Sequence, residues 1–385
     1  MKAKEIKAVE VFRKGELIGV LRRTTQGCEF IYDEDATRQL CFSMPNVGEP
    51  WRCVGDNLFP YFANLLPEGR RLNLVAKREK VSTDDMFSLL LIQGKEFVGD
   101  VHVEPTIGTD RHPDIDDKGM IFADIRNKVQ DFAGIQDKLS MHKEYRLART
   151  AKDFGILKFG DAQFPNLVQN EYFFMELARK AKFRVPAVRI VQDATGEEAL
   201  YIMRFDRVRT PKSKPWKMLH QEDGCQVCGS FPSQKYSIQY HQLAHEMSNY
   251  CSSPHVAKME LLKTYVFAYF IGNGDLHAKN VSILENAATG LTSVSPVYDM
   301  LSTLPYDLNQ NMALPYFGKD RAFSMKGFLD YARRQGLPEA RAKREIEFLA
   351  TVVYKNQSDF SKIGLTDDQQ KKMTNEILNR LNKLG

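Results

Sequence analysis

A long apolar segment that runs directly into a polar loop constrains the fold of this chain more than any other feature. Residues 256–271 are apolar almost all round, which predicts a helix buried on most sides. Residues 272–282 read Gly-Asn-Gly-Asp-Leu-His-Ala-Lys-Asn-Val-Ser and are predicted to form a loop that leaves the core. Lysine is almost never fully buried without a partner, so His277 and Lys279 in this loop favour a functional role over packing.

Two polar residues of this loop have the spacing of a phosphotransfer site. Asp275 and Asn280 are five residues apart, the interval between the aspartate that orients the acceptor hydroxyl and the asparagine that holds Mg²⁺ in a protein-kinase catalytic loop. Asp299, in the segment Pro-Val-Tyr-Asp-Met, is the candidate for a further metal ligand. The alternative is ordinary turn chemistry, because Gly-Asn-Gly-Asp commonly ends a helix. The buried helix before the loop and the charged residues inside it favour the site.

An upstream lysine and glutamate are candidates for a pair that kinases use. Residues 155–160 have a short strand pattern in which Lys158 is flanked by apolar residues, as is typical of a lysine that reaches nucleotide phosphates from a strand. A lysine on an edge strand that faces water is the alternative. Residues 170–180 show helical periodicity, and Glu171 either pairs with Lys158 or is an acidic residue favoured near a helix N-terminus. The sequence leaves both interpretations open.

Two further segments are candidates for nucleotide binding. Residues 185–191 and 199–207 have the pattern of a hairpin, and the backbone near its end is predicted to bond adenine. Residues 132–138 form a small-residue turn whose backbone N–H groups are candidates to face phosphate oxygens, although the turn has a single glycine.

In their order along the chain, these segments resemble the HipA family of bacterial serine/threonine kinases. The N-terminal segments 62–69 and 89–99 resemble the N-terminal subdomain of the same family, so the resemblance covers most of the chain. Five motifs in order are far more specific than any one of them. These motifs are residues 133–138, 203–207, 220–226, 274–280 and 298–300.

The resemblance implies an α+β fold of the HipA-like protein-kinase type, with a β-rich N-terminal subdomain, a nucleotide lobe and an all-helical C-terminal lobe. It implies ATP and Mg²⁺ as cofactors and Asp275 as the catalytic base. The nucleotide-site residues that it implies are Ala133, Gly134, Ile135, Gln136, Asp137 and Lys138 in the phosphate loop, Lys158 at the phosphates, Met203, Arg204 and Phe205 at adenine, and His277, Lys279, Asn280 and Asp299, of which Asn280 and Asp299 would bind Mg²⁺.

The resemblance also implies a toxin role. Family members look like kinases that phosphorylate aminoacyl-tRNA synthetases and arrest growth until a small DNA-binding antitoxin binds them, so both are expected partners. One departure concerns regulation. HipA-type toxins resemble each other in having a self-phosphorylated serine two residues before the phosphate loop. This chain has Asp131 at that position, and an aspartate cannot accept that phosphate. Two alternatives remain open, a kinase of a sugar or metabolite and a non-catalytic interaction protein on the same fold.

The length of the chain predicts several packed units. At 385 residues it exceeds the size at which one hydrophobic core keeps growing. We predict an N-terminal subdomain over 1–105, which opens with an alternating hairpin at 9–21. A nucleotide-binding lobe is predicted over 106–210, after the start of a stretch rich in Pro, Gly and Asp. Helical periodicity dominates the catalytic lobe predicted over 211–385.

Composition limits the remaining function classes. No apolar run reaches the roughly 20 residues that span a bilayer, and no apolar signal core follows the basic N-terminus, so we expect a cytoplasmic protein or one exported without a cleavable signal peptide. The net charge of +5 is spread along the chain without a helix-turn-helix pattern, so direct sequence-specific DNA reading is not expected. Cys225 and Cys228, with Cys251 and His255, offer a zinc spacing, but buried free cysteines are the favoured interpretation.

Overall fold

An antiparallel sheet forms the N-terminal part of the structure. The computed structural model describes residues 3–55, 58–94, 97–105, 122, 145–149, 154–208, 216–286, 288–306, 308 and 310–384. The strands of this first sheet are β1 (Ala8–Arg13), β2 (Glu16–Arg23), β3 (Gly27–Tyr32), β4 (Trp51–Val54) and β5 (Val101–Glu104). They lie in the order β4-β3-β2-β1-β5, so the two ends of the N-terminal segment meet where β1 pairs with β5.

The hairpin predicted at the start of the chain is confirmed. β1 and β2 pair around Lys14 and Gly15, which both have positive φ, as a two-residue primed turn requires. Val9 and Val11 alternate with less buried residues, so one face of the sheet belongs to the core. The helices that follow are α1 (Pro60–Ala63), α2 (Gly69–Arg78) and α3 (Met86–Gln93).

A second antiparallel sheet carries the predicted nucleotide-binding elements. Its strands are β6 (Tyr145–Arg149), β7 (Phe154–Phe159), β8 (Val188–Gln192) and β9 (Glu198–Met203), in the order β6-β7-β9-β8. Helix α4 (Leu167–Lys180) follows β7 and packs against β8 and β9. The predicted strand, helix and hairpin are confirmed. Because β7 pairs on both sides, Lys158 lies on an inner strand, which excludes the edge-strand alternative.

The C-terminal part is not all-helical, which corrects one detail of the expected fold. Short strands β12 (Gln221–Asp223), β13 (Ser282–Glu285) and β14 (Thr292–Val294) form a sheet, and β10 (Arg207–Val208) pairs with β11 (Lys217–Met218). Strands this short carry no recognisable alternation of apolar and polar residues. β13 begins directly after the polar loop, so the sheet fixes the end of that loop.

Helices form most of the remaining C-terminal part. They are α5 (Gly224–Val227), α6 (Tyr240–Asn249), α7 (Pro254–Ile271), α8 (Met325–Arg334), α9 (Glu339–Lys355) and α10 (Asp367–Asn382). α7 packs against α6, α9 and α10, and every residue from Thr264 to Ile271 is buried, as its sequence predicts. No helix in the described part of the chain combines the length and the apolar character needed to span a bilayer.

Gly272 ends α7 and starts the polar loop. It caps the helix with a φ of 71°, a conformation that glycine adopts without strain. A Cβ at this position would lie 2.2 Å from Leu304 Cδ1, so close packing also requires glycine. The backbone N–H of Thr303 donates to Gly272 O at 2.9 Å. The loop therefore leaves the core at a fixed point.

Candidate active site

A buried lysine between two carboxylates forms the centre of the site. Lys158 Nζ lies 2.8 and 3.1 Å from the two carboxylate oxygens of Glu171, and it also bonds Asp299 Oδ1. Lys158 and Glu171 are buried, and Asp299 is partly buried. Glu171 lies beyond the first turn of α4. Of the two interpretations of Glu171 that the sequence leaves open, the structure therefore supports the pair with Lys158.

The charge of Lys158 is stabilised by its neighbours. Burial alone acts to lower the pKa of the ammonium, but Asp299 and Glu171 outweigh it and raise the pKa above the ordinary value of lysine. Lys158 is therefore a fixed cation on an inner strand. Such a cation can neutralise the oxygens of a phosphate group.

The loop that carries Asp299 is tied to the loop that carries Asp275. Asp299 has a φ of 54°, which is uncommon for a residue other than glycine. Asn273 Nδ2 donates to Asp299 O at 3.0 Å, and Asn273 Oδ1 accepts from the backbone N–H of Asp275 at 3.0 Å. One buried carboxamide thus sets the position of the two acidic residues relative to each other.

Asp275, the predicted catalytic base, accepts a hydrogen bond from a tyrosine. Tyr236 Oη donates to Asp275 Oδ1 at 2.7 Å. Burial raises the pKa of Asp275 to about 7. Tyr236, Lys235 and Lys158 oppose this rise, whereas the carboxylate of Asp299 adds to it. A carboxyl group that titrates near neutral pH is well suited to take up and release a proton.

Asn280 is oriented so that its carboxamide oxygen remains for an ion. Asn280 Nδ2 donates to the backbone oxygen of Asp275 at 2.9 Å, which assigns the nitrogen and oxygen of the carboxamide. Asn280 and Asp299 thus offer one amide and one carboxylate oxygen. Mg²⁺ prefers oxygen ligands and commonly takes few from the protein, with nucleotide phosphates supplying others. The residues present therefore fit Mg²⁺.

His277 is a neutral, buried imidazole beside the predicted base. Its ring packs edge-on against that of Tyr236, with ring centroids 5.2 Å apart. Burial, with a contribution from Lys235, lowers the pKa of His277 to about 3. In the described part of the chain, His277 Nδ1 is buried and has no hydrogen-bond partner. A polar atom of this kind is one that a bound ligand can satisfy.

The predicted adenine-binding residues lie at the end of β9 and differ in accessibility. Met203 is 36% exposed, and the ring of Phe205 packs against that of Tyr298 with centroids 5.8 Å apart. The Arg204 guanidinium is buried and pairs with Asp206 at 2.7 Å. The N–H of Met203 donates to Ala187 O and that of Arg204 to Phe154 O, each at 2.8 Å. The Arg204 side chain is therefore engaged within the protein, and adenine contacts of Met203 and Phe205 stay a prediction.

The side chain of Lys279 contacts Asp223 and two residues of the N-terminal part of the chain. Its ammonium lies 2.8 Å from Asn64 Oδ1, and it forms ion pairs with Asp223 at 3.2 Å and with Glu68 at 3.3 Å. Asn64 and Glu68 belong to the N-terminal part of the chain. The N-terminal part of the chain therefore contacts the loop directly.

Some predicted residues lie outside the described part of the chain. The predicted phosphate loop Ala133, Gly134, Ile135, Gln136, Asp137 and Lys138 belongs to this group, as does Asp131. The zinc alternative gains no support: no group of three or more His, Cys, Asp or Glu side chains in the described ranges is placed to hold a metal ion. Cys225 and Cys251 are buried.

Several residues that hold the loop in place carry no clear signal in the sequence. Tyr236 and Lys235 follow no spacing rule relative to Asp275, so no local signal marks them. Asn273 lies inside the loop motif, where the sequence alone indicates only a turn. Asp223 lies within the recognised segment 220–226, which is the one signal that could have drawn attention to it.

Two family models match the chain. The HipA-like C-terminal domain matches residues 131–356, which is more than half of the chain, and the HipA N-terminal domain matches residues 9–104. The chain belongs to the HipA family. The resemblance drawn from the five sequence motifs is therefore confirmed.

This HipA-family chain is similar to several curated proteins. It is 33% identical to Y4dM of Sinorhizobium fredii over 281 residues, which cover 68% of this chain and 66% of that protein. It is 28% identical to Y4mE of the same organism over 344 residues, which cover 80% of each. Both relatives are named as candidate kinases. It is 26% identical to the serine/threonine-protein kinase toxin HipA of Shewanella oneidensis over 297 residues, covering 68% of this chain and 67% of that protein.

A solved structure shows the same fold. A chain in the complex of HipA, HipB and operator DNA from Shewanella oneidensis has a TM-score of 0.77 and 19% sequence identity. The match covers 98% of this HipA-family chain and 97% of that chain. It confirms the α+β, HipA-like kinase fold expected from the sequence.

Proposed function

We propose that this HipA-family protein is an ATP- and Mg²⁺-dependent kinase that phosphorylates serine or threonine residues of a protein. The observation that carries the proposal is one cluster of three groups: the buried cation of Lys158, the carboxylate of Asp299 and the carboxyl group of Asp275, which titrates near neutral pH. Kinase catalysis is almost entirely positioning and charge neutralisation, and these groups suit that task. The names of the relatives support the same class of enzyme.

Each residue of the cluster has a separate task in this mechanism. Asp275 accepts the hydrogen bond of the substrate hydroxyl and takes its proton as the oxygen bonds the γ-phosphorus of ATP. The bond from that phosphorus to the β–γ bridging oxygen breaks, and ADP leaves. Lys158 binds phosphate oxygens, and Glu171 holds Lys158 in place. Asn280 and Asp299 would hold Mg²⁺, which neutralises charge on the β- and γ-phosphates when bound.

The substrate and the partner are proposed from the family rather than from the geometry. We infer a component of translation in the cytoplasm, such as an aminoacyl-tRNA synthetase, whose phosphorylation arrests growth, and a small DNA-binding antitoxin that binds the kinase. Support comes from the relative named as a kinase toxin and from the fold match to a complex with HipB and operator DNA. Asp131 would leave the kinase without the self-phosphorylated serine of HipA-type toxins.

We also propose three units, at 1–105, 106–210 and 211–385. The family-model ranges of 9–104 and 131–356 support the first boundary. The second boundary is supported by the end of the β6-β7-β9-β8 sheet at Met203.

Labelling with ATP that carries a radioactive γ-phosphate tests the proposed reaction. Purified protein, Mg²⁺ and labelled ATP are added to a bacterial lysate, and the labelled proteins are separated and their phosphoamino acids identified. We expect discrete proteins to gain phosphoserine or phosphothreonine. ATP consumption that appears only with an added sugar or metabolite would establish a small-molecule kinase instead. A protein that binds no nucleotide would be an interaction protein.

A further inference from the structure

The ammonium of Lys279 is saturated by protein oxygens. Four lie within reach: Asn64 Oδ1 at 2.8 Å, Asn64 O at 3.1 Å, Asp223 Oδ2 at 3.2 Å and Glu68 Oε1 at 3.3 Å. An ammonium group has three N–H donors, and these four oxygens can engage all of them. Although burial disfavours its charge, Asp223 and Glu68 raise the pKa of Lys279 above the ordinary value. The lysine is therefore a permanently charged anchor.

The oxygens around Lys279 are themselves held in place. Asn64 Nδ2 donates to Pro60 O at 2.9 Å and to Ser230 O at 2.8 Å, so both amide hydrogens are used. The two carboxylate oxygens of Asp223 make different contacts. Its Oδ1 accepts from the backbone N–H of Gln226 at 2.9 Å and caps α5, while its Oδ2 pairs with Lys279. These hydrogen bonds hold in place the Asn64 and Asp223 oxygens that bind Lys279.

Glu68 reaches the catalytic loop by a second route. Its Oε2 accepts from Lys235 Nζ at 2.9 Å, and the backbone oxygen of Lys235 accepts from the N–H of Ala278 at 3.0 Å. Lys235 precedes Tyr236, whose hydroxyl bonds Asp275. One carboxylate of the N-terminal part thus binds two lysines, one inside the loop and one in the segment that carries Tyr236.

We propose that Asn64 and Glu68 of the N-terminal subdomain, with Asp223, are positioning residues that lock the loop 275–280 in its catalytic arrangement through Lys279. The N-terminal subdomain then contributes to phosphotransfer without touching the nucleotide. This inference rests on the proposed kinase function for its effect on turnover, but the loop anchor itself can be measured without any substrate.

Hydrogen exchange of the loop amides measures the anchor directly. The N–H groups of Asp275, His277, Ala278 and Asn280 are all hydrogen-bonded, so their exchange reports opening of the loop. In Glu68→Gln, which keeps the side-chain shape but removes the charge, we expect exchange over 275–280 to accelerate by about ten-fold without nucleotide. Glu49→Gln is the matched control, because Glu49 is exposed in the same part of the chain.

Turnover distinguishes positioning from nucleotide contact. We expect kcat of Glu68→Gln to fall by about ten- to a hundred-fold, because a small misplacement of catalytic groups lowers the rate by such factors. The Kd for MgATP should stay unchanged. Asp223→Asn keeps the oxygen that caps α5, and it should likewise lower kcat without changing the Kd for MgATP. It provides a second variant if Glu68→Gln folds poorly.

Unchanged hydrogen exchange of the loop in both folded variants would overturn the proposal. A rise in the Kd for MgATP by the same factor as the fall in kcat would also overturn it. If the wild-type protein transfers no phosphate at all, the proposed function fails. Faster loop exchange in the variants would then still establish the anchor.

Discussion

The phenol of Tyr236 donates a hydrogen bond to the carboxylate of Asp275 over 2.7 Å. The bond engages Oδ1, and in the proposed mechanism Oδ2 receives the acceptor hydroxyl of a substrate. It also opposes the rise in the pKa of Asp275 that burial causes, so it favours the ionised, basic form.

Removal of this phenol should slow phosphotransfer. In Tyr236→Phe we expect kcat to fall by about ten-fold at neutral pH, because a hydrogen bond to a charged group contributes about 1.5–3 kcal/mol. MgATP affinity should not change. Tyr354→Phe, which alters an exposed tyrosine, is the control for steady-state kinetics. A Tyr236→Phe enzyme with the kcat of the wild type would show that Asp275 needs no support from Tyr236.

Loss of the Asp299 carboxylate should weaken MgATP binding. We expect Asp299→Ala to raise the Kd for MgATP by about ten-fold or more, because Mg²⁺ takes only one or two carboxylates from a nucleotide site. Isothermal titration calorimetry with and without Mg²⁺ measures the effect. Asp330→Ala removes an exposed carboxylate and should leave the Kd unchanged. An unaltered Kd in Asp299→Ala would place the metal elsewhere.

The pair of Lys158 and Glu171 should matter for catalysis rather than only for packing. In Glu171→Gln, Lys158 loses an ionic partner at 2.8 Å, and we expect kcat/KM to fall by about ten-fold, the effect of a hydrogen bond to a charged group. Glu176→Gln, on the same helix but in a solvent-exposed pair with Arg179, should have wild-type kcat/KM. Equal activity of both variants would contradict a role for the pair.

A buried histidine connects the segment before β5 to the C-terminal part of the chain. His220 Nδ1 lies 2.9 Å from Asp100 Oδ1, and His220 Nε2 lies 2.7 Å from Glu222 Oε1. Burial and the nearby Arg13 act to lower the pKa of His220, but hydrogen bonds to Asp100 and Glu222 raise it above the ordinary value. The protonated ring can donate to both carboxylates at once.

Stability should therefore decrease at alkaline pH through His220. Since the folded-state pKa is raised, this contribution is fully present below the ordinary pKa of about 6.5 and is lost as the pH rises through the folded-state value. Thermal unfolding is measured from about pH 6 to about pH 9. The difference in Tm by which the wild type exceeds His220→Gln should shrink with rising pH. His245→Gln, at an exposed position, should follow the wild type. A difference in Tm that widens toward alkaline pH would refute the assignment.

Local patterns predicted the elements of the fold that are long or strongly periodic. Residues 256–271 are apolar at nearly every position, and α7 is buried there as expected. The strands β12, β13 and β14 were missed because three or four residues carry too little pattern. Whether Glu171 pairs with Lys158 could not be decided from spacing, since the contact depends on how α4 packs against its sheet.

Contacts between residues distant in sequence limit how much of the site the sequence alone predicts. The spacing of Asp275 and Asn280 pointed to the loop, yet the Asn64 partner of Lys279 lies 215 residues away in sequence. No local rule connects residues so far apart. The resemblance places Lys279 in the nucleotide site, and no local rule predicts that its ammonium lies against Asn64, Glu68 and Asp223.

Asp275→Asn tests most directly whether Asp275 accepts the proton of the attacking hydroxyl. Asparagine keeps the size of the side chain and can still accept from Tyr236, but it cannot act as a base. Phosphotransfer to protein from labelled MgATP and the calorimetric Kd for MgATP are measured on the same preparations. We expect the rate to fall by about 100- to 10,000-fold with little change in Kd. Retained phosphotransfer in Asp275→Asn would contradict the account.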